Sequence, residues 1–317
     1  MTQATGSKLA IIGAGSVGAT IAYACMMRGV APKIALYDID SKKVNAQVLD
    51  LNHGLQFVPP VMLEGSAELA VCKDASVVVI TAGAKQKPGQ SRMELAAANT
   101  AICRDLLPKL LSIAPNAIYL LVTNPVDVIT YVALRITGLP PARVFGSGTV
   151  LDSSRFRFLI ARRLRVATQN VHAYIAGEHG DSEVPLWSSA TISGIPLHEW
   201  AVPGHGKLTV RDRTEIFQNV KTAAYQVIEG KGATNYAIGL ATTQILQAIL
   251  SHQNRVLPVS SLIHGIAEVE NACLSMPSIV GNAGVEPALP IPLNANERAG
   301  LQNSAEVIRA AIAAVGF

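Results

Sequence analysis

The apolar residues in the first half of the chain fall into short continuous runs, and longer mixed segments separate these runs. Continuous runs of about four to eight apolar residues are typical of strands that are buried on both faces of a sheet, and the segments between them predict helices. The predicted strands are residues 8–12, 34–37, 76–81 and 117–123, and the predicted helices are residues 19–28 and 93–112. This alternation predicts an α/β fold with a parallel sheet, in which ligands bind beyond the carboxyl ends of the strands.

The second half has a different order of elements. We predict a helix that begins near residue 150, a strand of small and β-branched residues over 171–176, and a helix that Thr234 caps. Short strands follow within 274–280, and an alanine-rich helix over 294–314 ends the chain. The predicted division is a parallel-sheet domain over residues 1–146 and an α+β catalytic domain over residues 147–317.

A glycine motif connects the first predicted strand to the first predicted helix. Gly13, Gly15 and Gly18 form GxGxxG there, and Asp38 ends the next strand, twenty residues after the last glycine. Such glycines permit a tight turn, a close approach of pyrophosphate to the backbone, and close packing of the helix on the strand. Asp38 can accept both ribose hydroxyls and would repel a 2′-phosphate, which predicts NAD rather than NADP. Lys43 is interpreted as a solvated residue of the next helix, with a phosphate or adenine contact as the alternative. The first half is therefore predicted to be a Rossmann-type, doubly wound parallel sheet.

Two further segments follow predicted strands and are expected at the same edge of the sheet. Gly83 and Ala84 are small, which lets a nicotinamide ribose pass close to the backbone. Asn124 offers a donor and an acceptor to a substrate or an amide, and Pro125 is a candidate cis proline. The polar segment after Ala84 is either an ordinary surface loop or a lid that carries Arg92 over a substrate when it closes.

Candidate proton-transfer chemistry centres on His179, which lies between glycines and acids in the sequence GEHGD. Histidine changes charge near neutral pH, so it suits proton transfer to a carbonyl or from an alcohol; a solvated loop histidine is the alternative. Asp152 and Arg155 are three residues apart and share one face of a helix, as surface ion pairs commonly do. Together with His179 they suggest a division of labour, in which the carboxylate holds the imidazole tautomer and the arginine binds a substrate carboxylate.

Composition argues against several other classes of protein. Half of the 317 residues are apolar, 15% are charged, and the net charge is +4. The one dense basic run, residues 155–165, lacks the breadth of a nucleic-acid surface, so nucleic-acid binding is not expected. No run approaches the roughly 20 apolar residues of a membrane span, and the apolar run that ends at Gly13 is too short for a secretory segment. The widely spaced cysteines predict core positions in a reduced, cytoplasmic protein without a metal site. They are Cys25, Cys72, Cys103 and Cys273.

Six motifs resemble the L-lactate/malate dehydrogenase family, and most of all its bacterial lactate-forming branch, over essentially the whole chain. They are GAGSVG, TAGAKQKPGQSR, VTNPVDV, SGTVLDSSRFR, GEHGDSEVP and KGATNYAI. The resemblance implies that His179 is the acid/base, Asp152 its partner, and Arg155 the clamp for the substrate carboxylate. It also implies that Arg92 polarises the carbonyl from the lid and that Asn124 orients the substrate. We expect Asp152 to raise the pKa of His179, although burial opposes this.

The resemblance also implies further contacts to NAD. Val17 and Ile238 are expected to pack against the nicotinamide, and Val122 and Ser147 are further candidate cofactor residues. Gln90 departs from the family pattern, because the lid commonly carries a glutamate there; this change affects lid closure but removes no reacting group.

The reaction that the resemblance implies is the reduction of pyruvate by NADH to L-lactate and NAD⁺. Malate dehydrogenase on the same scaffold and a catalytically silent NAD-binding sensor are the alternatives. Malate enzymes of this family carry an arginine where this chain has Gln86, so a second substrate carboxylate would lack its partner, and Thr234 adds bulk to the same pocket. The presence of the complete set of reacting residues argues against a silent sensor.

Arg157 and His172 are expected to point away from the chemistry. Arg157 lies two residues after Arg155, which is about 200° of rotation on a helix. His172 lies seven residues before His179, about 23 Å and an odd offset in an extended strand. The resemblance implies that both meet their symmetry mates at a subunit dyad, where fructose bisphosphate would relieve repulsion and favour a homotetramer over a dimer. Plain surface charge is the alternative, because family members that ignore this effector carry the same two residues.

Overall fold

The computed structural model describes residues 6–84 and 92–317, and Arg92 by its backbone alone. The strands are β1 (Lys8–Ile12), β2 (Lys33–Tyr37), β3 (Met62–Ser66), β4 (Val77–Ile80), β5 (Ile118–Leu121), β6 (Val144–Gly146), β7 (Val171–His172), β8 (Ile175–Ala176), β9 (Val184–Pro185), β10 (Thr191–Ile192), β11 (Ile195–Pro196), β12 (Arg255–Ile266), β13 (Val269–Gly281) and β14 (Gly284–Ala288). The helices are α1 (Ser16–Met27), α2 (Ser41–His53), α3 (Arg92–Ile113), α4 (Val126–Thr137), α5 (Val150–Leu164), α6 (Val210–Lys231), α7 (Tyr236–Leu250) and α8 (Ala295–Ala314).

The central feature is a nine-stranded sheet in the order β14-β13-β12-β6-β5-β4-β1-β2-β3. The first six strands of the chain are parallel to one another, in the order 3-2-1-4-5-6 of a doubly wound sheet. The last three strands are antiparallel and join this sheet where Ser260 of β12 pairs with Gly146 of β6. The prediction of an α/β fold with a Rossmann-type first half is confirmed.

Helices cover both faces of the sheet. Leu107 of α3, Ile129 of α4 and Ile308 of α8 belong to the core on one face, and Ile21 of α1 and Leu246 of α7 belong to the core on the other. Because the strands between them are buried on both sides, their sequences read as continuous apolar runs. This packing fixes the carboxyl ends of β1, β4, β5 and β6 along one edge of the sheet.

A third core belongs to the second half alone. It contains Phe156 and Ile160 of α5, Ile192 of β10, Ile216 of α6, and Trp200, which lies between β11 and α6. It anchors α5, whose first two turns carry Asp152 and Arg155. All four cysteines are buried and unpaired, and within residues 6–84 and 92–317 no helix is both long and apolar enough to cross a bilayer.

Three details of the second half differ from the sequence prediction. The predicted strand over 171–176 is two strands, because β7 pairs with β10 whereas β8 pairs with β9. The predicted short strands within 274–280 are part of a long hairpin, β12–β13, whose partners run from Arg255 opposite Val280 to Ile266 opposite Val269. The distance of 23 Å that an unbroken strand implied between His172 and His179 therefore does not apply.

The cap of α7 was also predicted wrongly. Asn235, and not Thr234, is the N-cap residue of this helix. The Asn235 side chain donates to Thr20 Oγ1 at 3.0 Å and accepts from Lys231 Nζ at 2.7 Å. It therefore ties α7 to α1 and to the end of α6 instead of bonding the first turn of its own helix.

Candidate active site

The glycine motif forms the turn between β1 and α1 as predicted, and its glycines have different reasons to be glycine. Gly13 has φ of +105°, and a Cβ there would lie 2.8 Å from Thr81 Oγ1. A Cβ on Gly18 would collide with the carbonyl oxygen of Gly13. At Gly15 the space that a Cβ would occupy is open among the described residues. Packing therefore requires Gly13 and Gly18, whereas Gly15 leaves a concave space at the beginning of α1.

That space suits an anion. Gly15 is the N-cap of α1, and no side chain from the described part of the protein caps this end of the helix. The first-turn N–H groups and the helix dipole favour negative charge at such a position. The cradle therefore fits the pyrophosphate of a dinucleotide.

Asp38 lies at the end of β2, beside this turn, and is buried. Its Oδ2 accepts hydrogen bonds from Ala14 N at 2.7 Å and Lys43 Nζ at 2.8 Å, and its Oδ1 accepts from Asp40 N at 3.1 Å. Burial would raise the pKa of Asp38, but the hydrogen bonds from Lys43, Asp40 and Ala14 outweigh it and hold the pKa below its ordinary value. The carboxylate is thus kept ionised as an acceptor at the position where a dinucleotide places a ribose.

Lys43 is exposed on α2, as the first interpretation expects, and its ammonium is also ion-paired with Asp38. The other candidate cofactor positions border the same edge of the sheet. Val17, Val122 and Ile238 are half-buried and pack against the core on the α1 and α7 side. Ser147 is buried directly after β6, and its N–H donates to Leu121 O at 2.8 Å.

The segments after β4 and β5 are joined beyond the end of the strand ladder. Thr123 Oγ1 donates to Ala82 O at 2.7 Å, and a Cβ on Gly83 would be 2.5 Å from Thr123 Cγ2. Ala84 and Asn124 are exposed, and the peptide bond between Asn124 and Pro125 is cis. The small residues and the Asn124 side chain are therefore presented at the edge of the sheet, as predicted.

The proton-transfer residues are in direct contact. His179 Nδ1 lies 2.5 Å from Asp152 Oδ2, and Arg155 Nη1 lies 2.7 Å from Asp152 Oδ1. Asp152 is buried in the first turn of α5 and its side chain is 4% exposed, whereas the imidazole is 26% exposed and the guanidinium side chain 17%. One carboxylate thus holds both cations while each keeps a partly open surface. The structure therefore brings His179, Asp152 and Arg155 together, as the sequence predicts.

Electrostatics within this group determine its protonation. Burial would lower the pKa of His179, but the charge and hydrogen bond of Asp152 outweigh it and raise the pKa to about 9. Burial would raise the pKa of Asp152, but His179 and Arg155 lower it below its ordinary value. At neutral pH the pair is therefore a carboxylate and an imidazolium, with Nδ1–H donating to Asp152 and Nε2 available to a ligand.

Sequence reasoning missed Asp127, which holds the backbone of His179. Asp127 Oδ2 accepts from His179 N at 2.7 Å, and its Oδ1 accepts from Ser260 Oγ at 2.6 Å. Burial raises the pKa of Asp127 to about 6, against the lowering effect of the hydrogen bonds from Ser260 and His179. Position alone gave no signal for this role, since Asp127 lies 52 residues from His179 in the chain.

The loop that carries His179 is also fixed on its other side. Gly177 exchanges two backbone hydrogen bonds with Ser275 of β13, each 2.9 Å long. Gly177 has φ of +83°, and a Cβ there would lie 2.5 Å from Ser304 Oγ. The glycine before the catalytic candidate is thus required by both conformation and packing.

Glu183 is a second residue that sequence reasoning missed. It is buried four residues after His179, and its Oε1 has no hydrogen-bond partner among the described residues. Burial and the charge of Asp152 raise the pKa of Glu183 to about 8, while His179 and Arg155 oppose this rise. Below that pH the side chain is a neutral acid beside the charged group.

Five predicted residues lie apart from this group or outside the described residues. Gln86 and the side chain of Arg92 lie outside the described residues, as does Gln90. Arg157 Nε donates to Ala173 O at 2.8 Å and its guanidinium lies 4.8 Å from the centre of the Tyr174 ring. His172 is exposed on β7, next to Ala173. Arg157 and His172 are therefore both adjacent to Ala173, and the contacts described for Arg157 are with Ala173 and Tyr174 instead of the Asp152 group.

Thr234, a predicted substrate residue, and Asn99, which was not predicted, both lie on helices or on the connections between them. Thr234 is half-buried in the short connection between α6 and α7. Asn99 of α3 is buried and bonds the segments after β4 and β5, which the sequence did not suggest. Among residues 6–84 and 92–317, no three histidine, cysteine or acidic side chains are grouped to hold a metal ion.

Comparison with known proteins identifies the family. Residues 7–146 match the model of the lactate/malate dehydrogenase NAD-binding domain, and residues 149–316 match that of the lactate/malate dehydrogenase α/β C-terminal domain. An L-lactate dehydrogenase of Bifidobacterium animalis subsp. lactis is 54% identical over 312 residues, which is 98% of each chain. One of Gloeobacter violaceus is 49% identical over 313 residues, 98% of this chain and 94% of the relative.

Solved structures agree with this assignment. The crystal structure of MGS-M5, a lactate dehydrogenase enzyme from a Medee basin deep-sea metagenome library, superposes with a TM-score of 0.94 at 38% identity, covering 98% of this chain and 99% of that one. The minor L-lactate dehydrogenase of Enterococcus mundtii gives 0.93 at 39% identity and 98% coverage of each chain. The chain therefore belongs to the lactate/malate dehydrogenase family.

Proposed function

We propose that this protein is an NAD-dependent L-lactate dehydrogenase, which interconverts pyruvate and NADH with L-lactate and NAD⁺. The observation that carries the proposal is the contact of Asp152 with both His179 and Arg155. The names of the relatives and of the solved structures support the same activity. In this proposal His179 is the acid/base, Asp152 its partner, and Arg155 the carboxylate clamp.

The protein's part in the reaction follows from this geometry. Arg155 uses one terminal nitrogen on Asp152, and a guanidinium has five N–H donors, so other donors can bind a substrate carboxylate. The chemistry that a bound nicotinamide supplies is the hydride. His179 gives its proton at Nε2 to the carbonyl oxygen, and Asp152 stabilises the imidazolium before that step. In lactate oxidation the neutral imidazole takes the alcohol proton at the same atom.

The cofactor assignments are part of the proposal. The open cradle at Gly15 would hold the pyrophosphate, and the ionised Asp38 would accept the adenine ribose hydroxyls. Lys43 would sit beside that ribose through its ion pair with Asp38. The remaining proposed contacts are Gly13, Val17, Gly18, Gly83, Ala84, Val122, Asn124, Ser147 and Ile238.

The substrate assignment depends on residues of the lid and the pocket. Gln86, Arg92, Asn124 and Thr234 complete the proposed substrate site, with Arg92 polarising the carbonyl and Gln86 disfavouring a second carboxylate. An unpaired buried charge costs roughly 3 kcal/mol or more, which is about 10²-fold in affinity. Oxidation of NADH with pyruvate and then with oxaloacetate tests this assignment. We expect kcat/KM to favour pyruvate by about 10²-fold, and Gln86→Arg to shift it toward oxaloacetate.

The same assay separates the two alternatives. A wild-type protein that prefers oxaloacetate would be a malate dehydrogenase, and one that binds NADH but oxidises it with neither acid would be a silent sensor. Neither alternative has a specific structural observation in its favour.

We also propose that the enzyme acts in the cytoplasm, where it reoxidises glycolytic NADH by fermenting pyruvate to lactate.

We propose a homo-oligomer, a tetramer or a dimer–tetramer equilibrium. Large apolar side chains are exposed on α1 and α7, two helices that pack together. Tyr23 and Met27 are each 52% exposed, and Tyr236 and Leu240 are 70% and 47% exposed. Each pair is four residues apart and so lies on one helix face, and an exposed apolar surface of this kind suits a second copy of the chain.

The effector proposal concerns the other surface, that of Arg157 and His172. Arg157 bonds the carbonyl of Ala173, the residue that follows His172, and this supports a shared anion site at a subunit dyad. We expect fructose bisphosphate to lower the half-saturation for pyruvate and to raise the sedimentation coefficient at low protein concentration. Unchanged values, or a response that survives in Arg157→Gln, would leave these residues as plain surface charge.

The proposed domain boundary between residues 146 and 147 is supported by the break between the two family matches.

A further inference from the structure

Asn99 lies in the second turn of α3, and this residue with its polar carboxamide is only 1% exposed. A buried amide is costly unless its hydrogen-bonding groups are satisfied. Its Oδ1 accepts from Ala84 N at 2.7 Å, and its Nδ2 donates to Asn124 O at 2.7 Å. The partners fix the orientation of the amide, since only the oxygen can accept from an N–H and only the nitrogen can donate to a carbonyl.

The two partners lie on different segments at the candidate site. Ala84 follows β4 and Asn124 follows β5, and the ladder between these strands ends at Ile80 and Leu121. Past that end, Thr123 makes one side-chain bridge to Ala82 O, and Asn99 makes the next bridge outward. The backbone N–H of Thr123 still donates to Ile80 O at 3.2 Å. Beyond that bond, the described hydrogen bonds between the two segments are made by the side chains of Thr123 and Asn99, which therefore set the spacing.

Packing closes the arrangement around Gly83. A Cβ on Gly83 would lie 2.5 Å from Thr123 Cγ2 and 3.1 Å from Asn99 Oδ1. The segment that the proposed nicotinamide ribose would pass is therefore held against both bridges. The backbone carbonyl of Asn124 accepts the hydrogen bond from Asn99, although Asn124 as a whole is exposed. The Asn124 side chain therefore extends from a fixed backbone.

We propose that Asn99 is a positioning residue for the dehydrogenase reaction: its amide sets the distance and angle between the Gly83–Ala84 strip and Asn124, and so between the cofactor and the substrate. This inference rests on the proposed function. Asn99 touches neither ligand and acts through the two segments that it joins. Misplacement of reacting groups by about 1 Å can cost 10²-fold in rate, so a side chain that fixes this spacing affects the rate of the chemical step more than the affinity for the cofactor.

The test is the isosteric variant Asn99→Asp, studied as a function of pH. A carboxylate keeps the bond from Ala84 N–H but cannot donate to Asn124 O, whereas a protonated carboxyl makes both bonds. The proposed reduction of pyruvate by wild type is insensitive to pH well below the His179 pKa of about 9. We therefore expect kcat of the variant to be about tenfold or more below wild type at pH 8 and to recover as the pH falls and the carboxyl is protonated. The dissociation constant of NADH, from its fluorescence, is expected to change less than about threefold.

A second variant and a control keep the result interpretable. Asn99→Ser removes both bonds and leaves space for water to satisfy the two backbone groups; it should lose kcat at every pH without recovery. Asn219→Asp makes the same chemical change on the exposed face of α6 and should match wild type. Wild-type kcat in a folded Asn99→Ser, or equal loss of kcat and NADH binding in both variants, would overturn the positioning role. Failure of the wild type to reduce pyruvate would instead refute the proposed function.

Discussion

The carboxylate of Asp127 accepts a hydrogen bond from the backbone N–H of His179 at 2.7 Å, although the two residues belong to different halves of the chain. Asp127 lies three residues after Asn124, whose carbonyl oxygen is bonded by Asn99. Asp152 holds the imidazole ring at Nδ1. A continuous series of contacts therefore runs from the backbone of Ala84 to Arg155, and in the proposed function it would order the cofactor and substrate groups relative to one another.

Replacing Asp127 by asparagine should separate its charge from its hydrogen bonds. Asparagine can accept from His179 N–H with its oxygen and donate to the Ser260 hydroxyl with its nitrogen, so positioning survives. Burial lowers the pKa of His179 and Asp152 raises it, and the negative charge of Asp127 raises it further. We expect Asp127→Asn to lower the apparent pKa in the alkaline limb of kcat/KM for pyruvate, while its melting temperature stays near that of wild type.

Asp127→Ala provides the contrast. It leaves His179 N and Ser260 Oγ without their acceptor, and a buried group in that state costs about 1–3 kcal/mol. We expect this variant to lose both thermal stability and kcat. Equal pH profiles for wild type and Asp127→Asn would show that the Asp127 charge does not reach the imidazole.

The pH dependence of the wild type follows from the raised pKa of His179. Reduction needs the protonated ring, so kcat/KM for pyruvate should be constant below pH 8 and should fall about tenfold per unit above the pKa of about 9. Oxidation needs the neutral ring, so kcat/KM for lactate should rise over the same range. Rate measurements in both directions between pH 6 and 10 check this; two profiles of the same sign would mean that His179 does not transfer the proton.

Stability should depend on the same group. The folded pKa of His179 is raised from 6.5 to about 9, so the folded state binds the proton more tightly than the unfolded state does. The stabilisation is fully present below pH 6.5 and is lost as the pH rises through 9. Urea unfolding midpoints should therefore fall over this window in the wild type, and a His179→Gln variant should lack this component of the fall.

Local chemistry was enough to predict part of the fold and of the candidate site. The parallel strands are continuous apolar runs, and the glycine motif and Asp38 act within one strand–helix–strand unit. Asp152 and Arg155 are separated by one helical turn, so spacing alone predicts their contact. These features depend on neighbours in sequence, which a sequence displays directly.

The features that sequence reasoning missed depend on distant partners. Asn99 bonds residues 15 and 25 positions away, and nothing in its own neighbourhood marks it. The strand predicted over 171–176 breaks because Ala173 O accepts from Arg157 and Tyr174 O accepts from Leu186 N, which turns the chain from one small sheet to another. A pattern of side chains cannot show which sheet each half of such a run will join.

Asp152→Asn tests the partner of the imidazole. The asparagine removes the charge that raises the pKa of His179 and that pairs with Arg155, so the ring loses its proton and its fixed tautomer at neutral pH. Loss of a positioned general acid costs about 10²-fold or more, and we expect kcat for pyruvate reduction to fall by that much. NADH binding, measured by fluorescence, should survive because Asp38 and the glycine turn are unchanged. Comparable loss of NADH affinity would mean that Asp152 is a structural residue.

The same added methyl group should affect different properties at two glycines of the motif: NADH affinity at Gly15 and folding stability at Gly18. Gly15 has φ of −73°, and the position of a Cβ is open among the described residues, so Gly15→Ala should fold with a stability within about 0.5 kcal/mol of wild type. If the pyrophosphate occupies that space, the dissociation constant of NADH from Gly15→Ala should rise about tenfold or more. In Gly18→Ala the methyl group would collide with the Gly13 carbonyl and lie 3.0 Å from Thr81 Oγ1, which should cost about 1–3 kcal/mol of stability. Melting curves and fluorescence titrations of both variants make the comparison. Wild-type NADH affinity in Gly15→Ala would place the phosphates away from this end of α1.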